Sequence, residues 1–498
     1  MGARGALAAL LGTLAGVPLL LAAQTQPLTD FQLQRADGLV RDGRFTDAAD
    51  AYRSILNASP TGVVRERAQA GLTLSLLRKG DFAGARVEGA RLGEAPGASA
   101  HALSLYGDSL WSSGLFDEAE HAYEAALAVD DDDPRAHHGR ARALTARGRL
   151  DEAMVEAKRA IADASEEPEF HHLLGLLYER QRRFPDAAAA FGKYVSLLPD
   201  HDRSPTALWT RAEIRFLRAF DRLTPIELSG RAAARDSWTV PFRIERGKVL
   251  IRAKINGDAA DFVLDTGAEQ TVLSLDTAAR HGVNPVAYTE SAGVGDFGRR
   301  GLQVGRIDRL QVGDLDIRNV PCLIKNPTLG QMPAREPDSF SPLALDLSMT
   351  VDYARRELTM ARALQTSAHA TELPLRVFRL ATVRGVVNGT PVSFLVDTGG
   401  EWISISRATA AQISAPPPFR RIPLKVYGTS GWDKDAFLMP GVDLAFDAVH
   451  LASTPVVVLN LTAPSELLGF QVGGIVGHSF LSKYRVTFDL KRSVLALD

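Results

Sequence analysis

The tripeptide Asp-Thr-Gly occurs twice in this chain of 498 residues, and each copy follows a short apolar run. The copies begin at Asp265 and Asp397, 132 residues apart. Two carboxyl groups held close together cannot both ionise easily, so the pKa of one falls and the pKa of the other rises. Such a pair can activate a water molecule with one group and protonate a leaving group with the other. The two aspartates could therefore hydrolyse an amide without a metal ion or a covalent nucleophile.

An Asn-Gly pair lies nine residues before each aspartate, at Asn256-Gly257 and at Asn388-Gly389. Between apolar runs, this dipeptide is the strongest short-range signal for a two-residue β-hairpin. After each tripeptide, a strand-like segment leads into a short predicted helix, over 275–283 in the first copy and 407–415 in the second. The chain therefore contains one structural unit twice, and we expect the two hairpins to bring both aspartates to one cleft.

These motifs resemble those of the retropepsin-like aspartic proteases, in the bacterial form that carries two lobes in tandem. The resemblance covers about 240–498 and implies a bilobal, all-β, pepsin/retropepsin-like fold with Asp265 and Asp397 as the catalytic dyad. In this family the Thr and Gly of each tripeptide support the dyad, and so does a second element of two apolar residues followed by Gly. The residues that match this support are Thr266, Gly267, Thr398, Gly399, Ile475, Val476 and Gly477.

The first lobe departs from the family pattern, because 339–343 (Ser-Phe-Ser-Pro-Leu) contains no glycine where the second element is expected. At the position after the tripeptide, Ala268 fits the family, whereas Gly400 is less usual. The resemblance also implies a glycine-tipped flap that closes over substrate in each lobe. The candidate flap residues are Gly295, Phe297, Gly298, Gly428 and Gly431. Ordinary surface turns rich in glycine are the alternative interpretation of both segments.

From about 28 to 198 the chain is rich in alanine and shows almost no strand signal. Glycines recur at or near a 34-residue spacing, at Gly43, Gly80, Gly114 and Gly148. A further copy of the phrase has Arg182 in the glycine position. The pattern resembles about five tetratricopeptide repeats, of which the second is degenerate, followed by a capping helix from Ser204 to Leu223. Such a superhelix offers a concave groove for a protein partner; the alternative is that it only spaces or stiffens the protease.

A net charge of −2 gives no reason to expect a nucleic acid as partner. The single cysteine, Cys322, excludes an intramolecular disulfide and is expected to be a buried, small apolar residue. Residues 1–23 combine an early Arg4 with a run of Ala, Leu and Gly, which predicts a secretory signal peptide. We therefore expect an exported protein, periplasmic or extracellular. An uncleaved membrane anchor is the alternative, and only then would a membrane be a partner.

The expected architecture is a helical superhelix followed by the bilobal β fold. The predicted segments are 1–23 (signal peptide), 28–222 (tetratricopeptide repeats with capping helix), 223–239 (linker), 240–363 (first lobe) and 373–498 (second lobe). We predict an aspartic-type endopeptidase, a hydrolase that acts on a peptide or protein substrate without a cofactor or metal ion. The repeats would recruit the substrate or a partner protein. One chain supplies both halves of the cleft, so a monomer is expected.

Two other functions remain open from the sequence. The first is a catalytically inactive scaffold or peptide-binding protein with a protease fold, which the missing glycine near Ser341 and the presence of Gly400 would favour. The second makes the repeats the functional part, with the β lobes as a platform for cargo.

Overall fold

The computed structural model describes residues 30–498 except 59, 200–203, 221, 296–298, 326–337, 366 and 414–420. The predicted signal peptide, 1–23, lies outside the described residues. Helices fill the described chain up to Ala219, and strands dominate from Glu227 onward, as the sequence predicted. None of the helices in the described part is long and apolar enough to cross a membrane.

The helical part is built from antiparallel helix pairs. Residues 30–41 are helical. They are followed by α1 (Phe45–Asn57), α2 (Gly62–Lys79), α3 (Phe82–Gly93), α4 (Ala100–Ser112), α5 (Phe116–Val129), α6 (Pro134–Ala146), α7 (Leu150–Asp163), α8 (Pro168–Arg180), α9 (Phe184–Leu197) and α10 (Pro205–Ala219). These form the five predicted repeats, and α10 is the predicted capping helix.

Small residues allow neighbouring helices of the superhelix to approach closely. A Cβ atom added at Gly71 would lie 2.2 Å from the ring of Tyr52, and one at Gly175 would lie 2.4 Å from the ring of Phe191. The ring of Tyr123 fills the equivalent space between two repeats, because it lies against the glycines at 107 and 139. The repeat pattern of small and aromatic residues is thus a packing pattern, in which each aromatic ring fills the space that a glycine leaves.

The superhelix curls until non-adjacent repeats touch. Arg78 of the second repeat forms an ion pair with Glu169 of the fifth. Asp108 links the third repeat to the fourth by accepting bonds from Arg135 at 3.0 Å and Arg142 at 2.7 Å. The ion pair of Arg78 with Glu169 therefore joins two repeats that are not neighbours in the sequence.

The turns inside the third and fourth repeats face the second lobe. Gly114 and Gly148 have φ of +76° and +69°, a left-handed conformation that favours glycine. A Cβ atom at Gly114 would lie 2.9 Å from Cβ of Ser393, and one at Gly148 would lie 3.2 Å from the carbonyl oxygen of Leu490. The glycines of these two turns thus serve the turn conformation and also the close contact with the second lobe.

Arg182 occupies the same turn position in the fifth repeat, with φ of +60°. A left-handed backbone costs a non-glycine residue roughly 1–2 kcal/mol. The side chain explains why an arginine is found there, since it donates to the carbonyl oxygens of Ile226 at 3.1 Å and Leu345 at 2.9 Å. Arg182 therefore fastens the last repeat to the first lobe.

Each β lobe is a folded sheet with short helices at its edges. The first lobe contains β1 (Glu227–Leu228), β2 (Ser237–Glu245), β3 (Lys248–Ile255), β4 (Asp258–Leu264), β5 (Thr271–Leu273), α11 (Leu275–Arg280), β6 (Pro285–Ala292), β7 (Arg299–Val312), β8 (Leu315–Lys325), β9 (Ser339–Phe340), β10 (Ser348–Asp352) and β11 (Glu357–Ala361). The second lobe contains β12 (Thr371–Phe378), β13 (Leu380–Val387), β14 (Thr390–Val396), β15 (Ser404–Ser406), α12 (Arg407–Gln412), β16 (Ile422–Pro423), β17 (Val426–Gly428), β18 (Gly431–Asp433), β19 (Phe437–Phe446), β20 (Val449–Leu459), α13 (Thr462–Leu468), β21 (Gly474–Val476), α14 (His478–Leu481), β22 (Val486–Asp489) and β23 (Val494–Leu497).

The segment predicted to be a linker, 223–239, is instead part of the first lobe. Its strand β1 pairs with β8, where Leu228 lies opposite Ile317. Ala232 and Trp238 are each only 1 % exposed. The segment lacks a clear sequence period because its elements are a two-residue strand, a 3-10 turn at Gly230–Ala234 and the start of β2.

The two lobes share one six-stranded sheet, in the order β2, β11, β10, β22, β23, β12. At its centre β10 and β22 are antiparallel, and Val351 lies opposite Val486. The hydroxyl groups of Thr350 and Thr487 are 3.0 Å apart at this junction. Each lobe contributes three strands to the shared sheet, so the duplicated halves meet about an approximate twofold axis.

Candidate active site

The predicted hairpins carry the two aspartates. The turn between β3 and β4 has φ of +52° at Asn256 and +104° at Gly257, and the turn between β13 and β14 has +45° at Asn388 and +80° at Gly389. A type I′ turn requires positive φ at both central residues, which is why Asn-Gly suits it. Strands β4 and β14 then end at the residue before each Asp-Thr-Gly. The sequence prediction of both hairpins is confirmed.

A second strand supports each aspartate from behind. In the second lobe β21 runs parallel to β14, and the N–H of Asp397 donates to the carbonyl of Val476 at 3.0 Å. Ile475 lies opposite Leu395 in the same ladder. In the first lobe β9 runs parallel to β4, and the N–H of Asp265 donates to the carbonyl of Phe340 at 3.0 Å. The backbone support of the two aspartates is therefore the same in both lobes.

The residue after this strand is Gly477 in the second lobe and Ser341 in the first. A Cβ atom at Gly477 would lie 2.6 Å from the carbonyl oxygen of Trp402. The close fit there is reinforced by His478, whose backbone N–H donates to the carbonyl oxygen of Gly400 at 2.8 Å.

In the first lobe, proline follows Ser341 and has no N–H for an equivalent bond. Ser341 is accommodated fully buried, and its hydroxyl has no hydrogen-bond partner among the described residues. The missing glycine thus leaves the Asp265 loop intact.

The two threonines lock the loops together. The N–H of Thr266 donates to Oγ1 of Thr398 at 3.1 Å, and the N–H of Thr398 donates to Oγ1 of Thr266 at 3.0 Å. Each hydroxyl then donates across the junction, Thr266 to the carbonyl of Val396 at 2.6 Å and Thr398 to that of Leu264 at 2.8 Å. Both threonines are buried. Four reciprocal bonds therefore fix one aspartate loop relative to the other.

The carboxyl groups face each other across this junction. Oδ1 of Asp265 accepts the N–H of Gly267 at 3.0 Å, and Oδ1 of Asp397 accepts that of Gly399 at 2.8 Å. A Cβ atom at Gly267 would lie 2.6 Å from Cγ of Asp397, and one at Gly399 would lie 2.6 Å from Cγ of Asp265. Each carboxyl group thus lies against the glycine of the opposite loop, within hydrogen-bonding reach of the other carboxyl group.

Proton affinity at the dyad is high. Burial, and then the charge of Asp265, raises the pKa of Asp397 to about 7. The N–H of Gly400, which donates to Asp397 at 2.9 Å, and the nearby Lys248 ammonium oppose this rise. Lys248 Nζ also donates to the carbonyl oxygen of Gly399. The pair therefore keeps one shared proton up to about neutral pH.

The two flap candidates meet at their tips. In the second lobe β17 and β18 form a hairpin with Gly428 opposite Gly431. Across the lobes, the N–H of Gly293 donates to Oγ of Ser430 at 2.9 Å, and the N–H of Ser430 donates to the carbonyl of Val294 at 3.0 Å. The fit is tight, since a Cβ atom at either Gly295 or Gly428 would lie 2.3 Å from a backbone oxygen of the opposite tip. Phe297 and Gly298 lie outside the described residues.

Comparison with protein families agrees with this geometry. Residues 251–332 match the family described as "gag-polyprotein putative aspartyl protease", and residues 383–480 match the aspartyl protease family. Residues 110–177 and 156–202 match tetratricopeptide repeat families. The chain joins tetratricopeptide repeats to two retropepsin-like aspartyl protease domains. No protein with curated annotation shows significant similarity to the chain.

Solved structures similar to the chain include repeat proteins. TTC0263, a thermophilic tetratricopeptide repeat protein of Thermus thermophilus, is 19 % identical with a TM-score of 0.32, covering 38 % of this chain and 99 % of its own. PilF of Pseudomonas aeruginosa is 14 % identical with a TM-score of 0.28, covering 39 % of this chain and 86 % of its own.

A cavity of about 310 Å³ contains Asp265 and lies beneath the flap tip of the second protease domain, at Thr429 and Ser430. Its far wall is made by the tetratricopeptide repeats, through residues of α8, α9 and α10. These wall residues could not be predicted from the sequence, because repeat spacing reports how helices pack on one another and not where the superhelix docks. The repeats are thus part of the candidate active site.

Cys322 is buried in the first protease domain and takes no part in the proposed dyad. It is buried in β8, and burial raises the pKa of its thiol to about 12. A thiol that stays protonated is a poor nucleophile and a poor metal ligand. This agrees with the predicted role of a small apolar residue in the core of the first protease domain.

Proposed function

We propose that this chain is an aspartic endopeptidase that uses the Asp265/Asp397 dyad to hydrolyse peptide bonds. The observation that carries the proposal is the dyad geometry. The reciprocal threonine bonds fix the two loops, the carboxyl groups face each other, and burial keeps one proton on the pair. An ion-pair network that only stabilises a fold pairs opposite charges, whereas a dyad that supplies both a general base and a general acid needs two carboxyl groups that share one proton.

In the proposed reaction, a water molecule is held between the two carboxyl groups. The ionised carboxylate accepts a proton from this water as its oxygen attacks the carbonyl carbon of the scissile bond. The protonated carboxyl group transfers its proton to the carbonyl oxygen, so the tetrahedral intermediate is a neutral diol. The carboxyl group that took the proton of the water then gives it to the amide nitrogen. The C–N bond breaks as one hydroxyl group of the diol returns its proton to the other carboxylate, which leaves one proton on the dyad. The roles belong to the pair, because strongly interacting groups titrate together.

For the repeats, we propose recruitment of the protein substrate or of a partner protein. Support comes from their position, since α8 and α10 contribute to the wall of the cavity that contains Asp265. We also propose export to the periplasm or the cell exterior, with the amino-terminal sequence pattern as its support.

The test is cleavage of an unbiased peptide library from pH 3 to 8 by the purified chain and by Asp265→Asn and Asp397→Asn. Loss of either carboxyl group should lower kcat/KM by at least about a hundredfold, the lower end of the usual contribution of general acid–base catalysis. Asp261→Asn is the matched control. Asp261 lies on β4, four residues before Asp265, and its side chain is 43 % exposed beside Arg243.

Cleavage that survives either dyad variant would exclude the proposed mechanism. No cleavage by the wild-type chain at any pH would favour the alternative, a peptide-binding scaffold with a protease fold.

A further inference from the structure

The cavity beside the dyad extends to a group of carboxylates that the proposed reaction does not use. Glu179 of α8 and Glu213 of α10 line it, together with Glu269, which lies two residues after the first Asp-Thr-Gly. Arg379 bonds Glu269 at 2.8 Å, and its guanidinium lies 4.4 Å from the ring centre of Trp209. We call this set of residues the acidic pocket.

Two carboxylate oxygens of the acidic pocket have no bonding partner in the described part of the chain. Glu213 is only 3 % exposed, and its Oε1 accepts no hydrogen bond from any described group. Oε2 of Glu179 is also buried and accepts no hydrogen bond from any described group. A buried polar group without a partner costs roughly 1–3 kcal/mol, and more when it is charged. Native structures keep few such groups, so two of them on residues that line one cavity point to a ligand that satisfies both.

The charges of the acidic pocket specify the kind of ligand. The carboxyl groups of Glu179, Glu213 and Glu269 share a single cation, the guanidinium of Arg379. Nη1 of this arginine also donates to the carbonyl oxygen of Leu467 at 3.0 Å. Burial, followed by the neighbouring charge of Glu179, raises the pKa of Glu213 well above its usual range. Burial raises the pKa of Glu179 to about 7. Both groups can therefore hold a proton while the pocket is empty and release it when a cation arrives.

Other cations along the same cavity are engaged elsewhere. Arg180 donates to the carbonyl oxygens of Thr145 and Val377, and Arg182 donates to those of Ile226 and Leu345. Lys325 also has an interaction of its own. Arg379 is therefore the cation whose charge acts on both Glu179 and Glu213, and it is itself paired with Glu269.

A metal ion fits the acidic pocket poorly. Within the described residues, no three His, Cys, Asp or Glu side chains converge in a way that could hold one. An organic cation fits better, because Leu176 and Phe184 also line the cavity and offer apolar surface to an aliphatic stem. Lysine and arginine side chains combine such a stem with a charged end.

We propose that the acidic pocket is a substrate subsite that binds the lysine or arginine side chain of a peptide close to its scissile bond. The inference rests on the proposed protease function, because the peptide must lie across the dyad. Glu213 and Glu179 belong to the repeats, so the superhelix selects the substrate by contributing charged groups to the cleft. The residues that determine specificity thus come from a different part of the chain than those that perform the reaction.

The test separates binding from hydrolysis. Peptides that carry Lys at one position are compared with matched peptides that carry norleucine, which has a stem of similar length without the charge. Binding is measured by fluorescence anisotropy with the full chain carrying Asp397→Asn, and hydrolysis is measured with the full wild-type chain. The same measurements are made on Glu213→Gln, Glu179→Gln and the control Glu124→Gln, an exposed glutamate of α5.

We expect Lys peptides to bind and react at least about tenfold better than norleucine peptides, as a charge-assisted bond in a buried site requires. Glu213→Gln and Glu179→Gln should each reduce this preference about tenfold, while Glu124→Gln leaves it unchanged. Thermal unfolding should show both pocket variants folded, since Gln has the size of Glu and carries no charge to bury.

The outcomes separate the two proposals. A Lys preference in binding without hydrolysis would support the subsite and contradict the protease function. Hydrolysis without a Lys preference, or with a preference that both pocket variants keep, would contradict the subsite alone. If peptides neither bind nor react, both proposals fail.

Discussion

The two loop glycines are where the dyad tolerates least change. Gly399 lies so close to Asp265 that an added Cβ atom would sit 2.6 Å from its carboxyl carbon. In Gly399→Ala the methyl group must push the carboxyl groups apart, and a misplacement of about 1 Å can cost a hundredfold in rate. We expect kcat/KM for a cleaved peptide to fall by about that factor.

The control for this change is Gly192→Ala. A Cβ atom at Gly192 meets nothing within 4 Å, and the residue lies inside α9. Alanine should leave kcat/KM unchanged and stabilise the helix by up to about 1 kcal/mol. Wild-type activity in Gly399→Ala would show that the carboxyl groups need not be in contact.

The pH dependence of hydrolysis reports the proton on the dyad. Because the pKa of Asp397 is raised to about 7, the pair keeps its shared proton below that pH and loses it above. The alkaline limb of kcat/KM against pH should therefore lie near pH 7. Lys248 stabilises the ionised form, so Lys248→Met should move this limb to higher pH.

Lys254→Met, an exposed lysine on the same strand β3, is the control and should leave the pH profile unchanged. A Lys248→Met profile that shifts to lower pH would contradict the electrostatic role assigned to this lysine.

Strand β12 and helix α5 form one of the contacts between repeats and protease domains. Arg376 of β12 is 4 % exposed and pairs with Asp117 and with Glu120, the latter at 3.0 Å. Arg376→Met would remove the buried cation of this group, while Glu120 keeps a bond from Arg147 at 3.2 Å and Asp117 keeps Arg384 at 3.5 Å. Removing one partner of a buried pair costs roughly 3–5 kcal/mol, and the remaining cations should keep the cost below that range. Urea unfolding followed by circular dichroism should show a clearly lower midpoint.

Arg384 of β13 provides the comparison, because it pairs with Glu118 of the same helix at 2.7 Å while its side chain is 42 % exposed. Arg384→Met should cost less than about 1 kcal/mol, as is usual for exposed ion pairs. Equal midpoints for the two variants would mean that the contact between β12 and α5 does not limit stability.

Local sequence signals predicted the elements that hold the dyad. The Asn-Gly turns, the aspartate loops and the helix pairs each depend on residues close together in the chain, so their patterns were readable. The docking of the fifth repeat on the first lobe could not be predicted, because contacts such as that of Arg182 with Leu345 join residues far apart in the chain and leave no periodic pattern in the sequence. The segment 223–239 was interpreted as a linker for a related reason, since its two-residue strand has no recognisable alternation.

The repeats and the protease domains share apolar cores, so the molecule behaves as one unit. The ring of Trp111 in α4 lies 5.7 Å from that of Phe378, and the ring of Phe116 in α5 lies 5.1 Å from that of Phe470. A chain that begins at residue 223 would expose these phenylalanines. We expect it to aggregate or to unfold at a lower temperature, as measured by size-exclusion chromatography and thermal scanning.

A chain that begins at residue 60 is the control. The apolar residues of the first repeat, such as Leu33 and Tyr52, pack against the second repeat and not against the protease domains. Removal of the first repeat exposes apolar residues of the second repeat, so this shortened chain should lose some stability, whereas the core shared by the later repeats and the second protease domain stays intact and hydrolysis should be kept. A monomeric, active chain beginning at residue 223 would show that the repeats are dispensable for folding and for hydrolysis.

The shared six-stranded sheet joins two halves that are similar but not identical. An enzyme assembled from two equal copies would offer the same surroundings to both aspartates, and a peptide could lie across it in either direction. Here Gly400 and Lys248 act on Asp397, and the repeats form a wall beside Asp265. A peptide running from its amino to its carboxyl end would therefore meet a different environment than the same peptide reversed. Gene duplication within one chain thus gives the cleft an orientation.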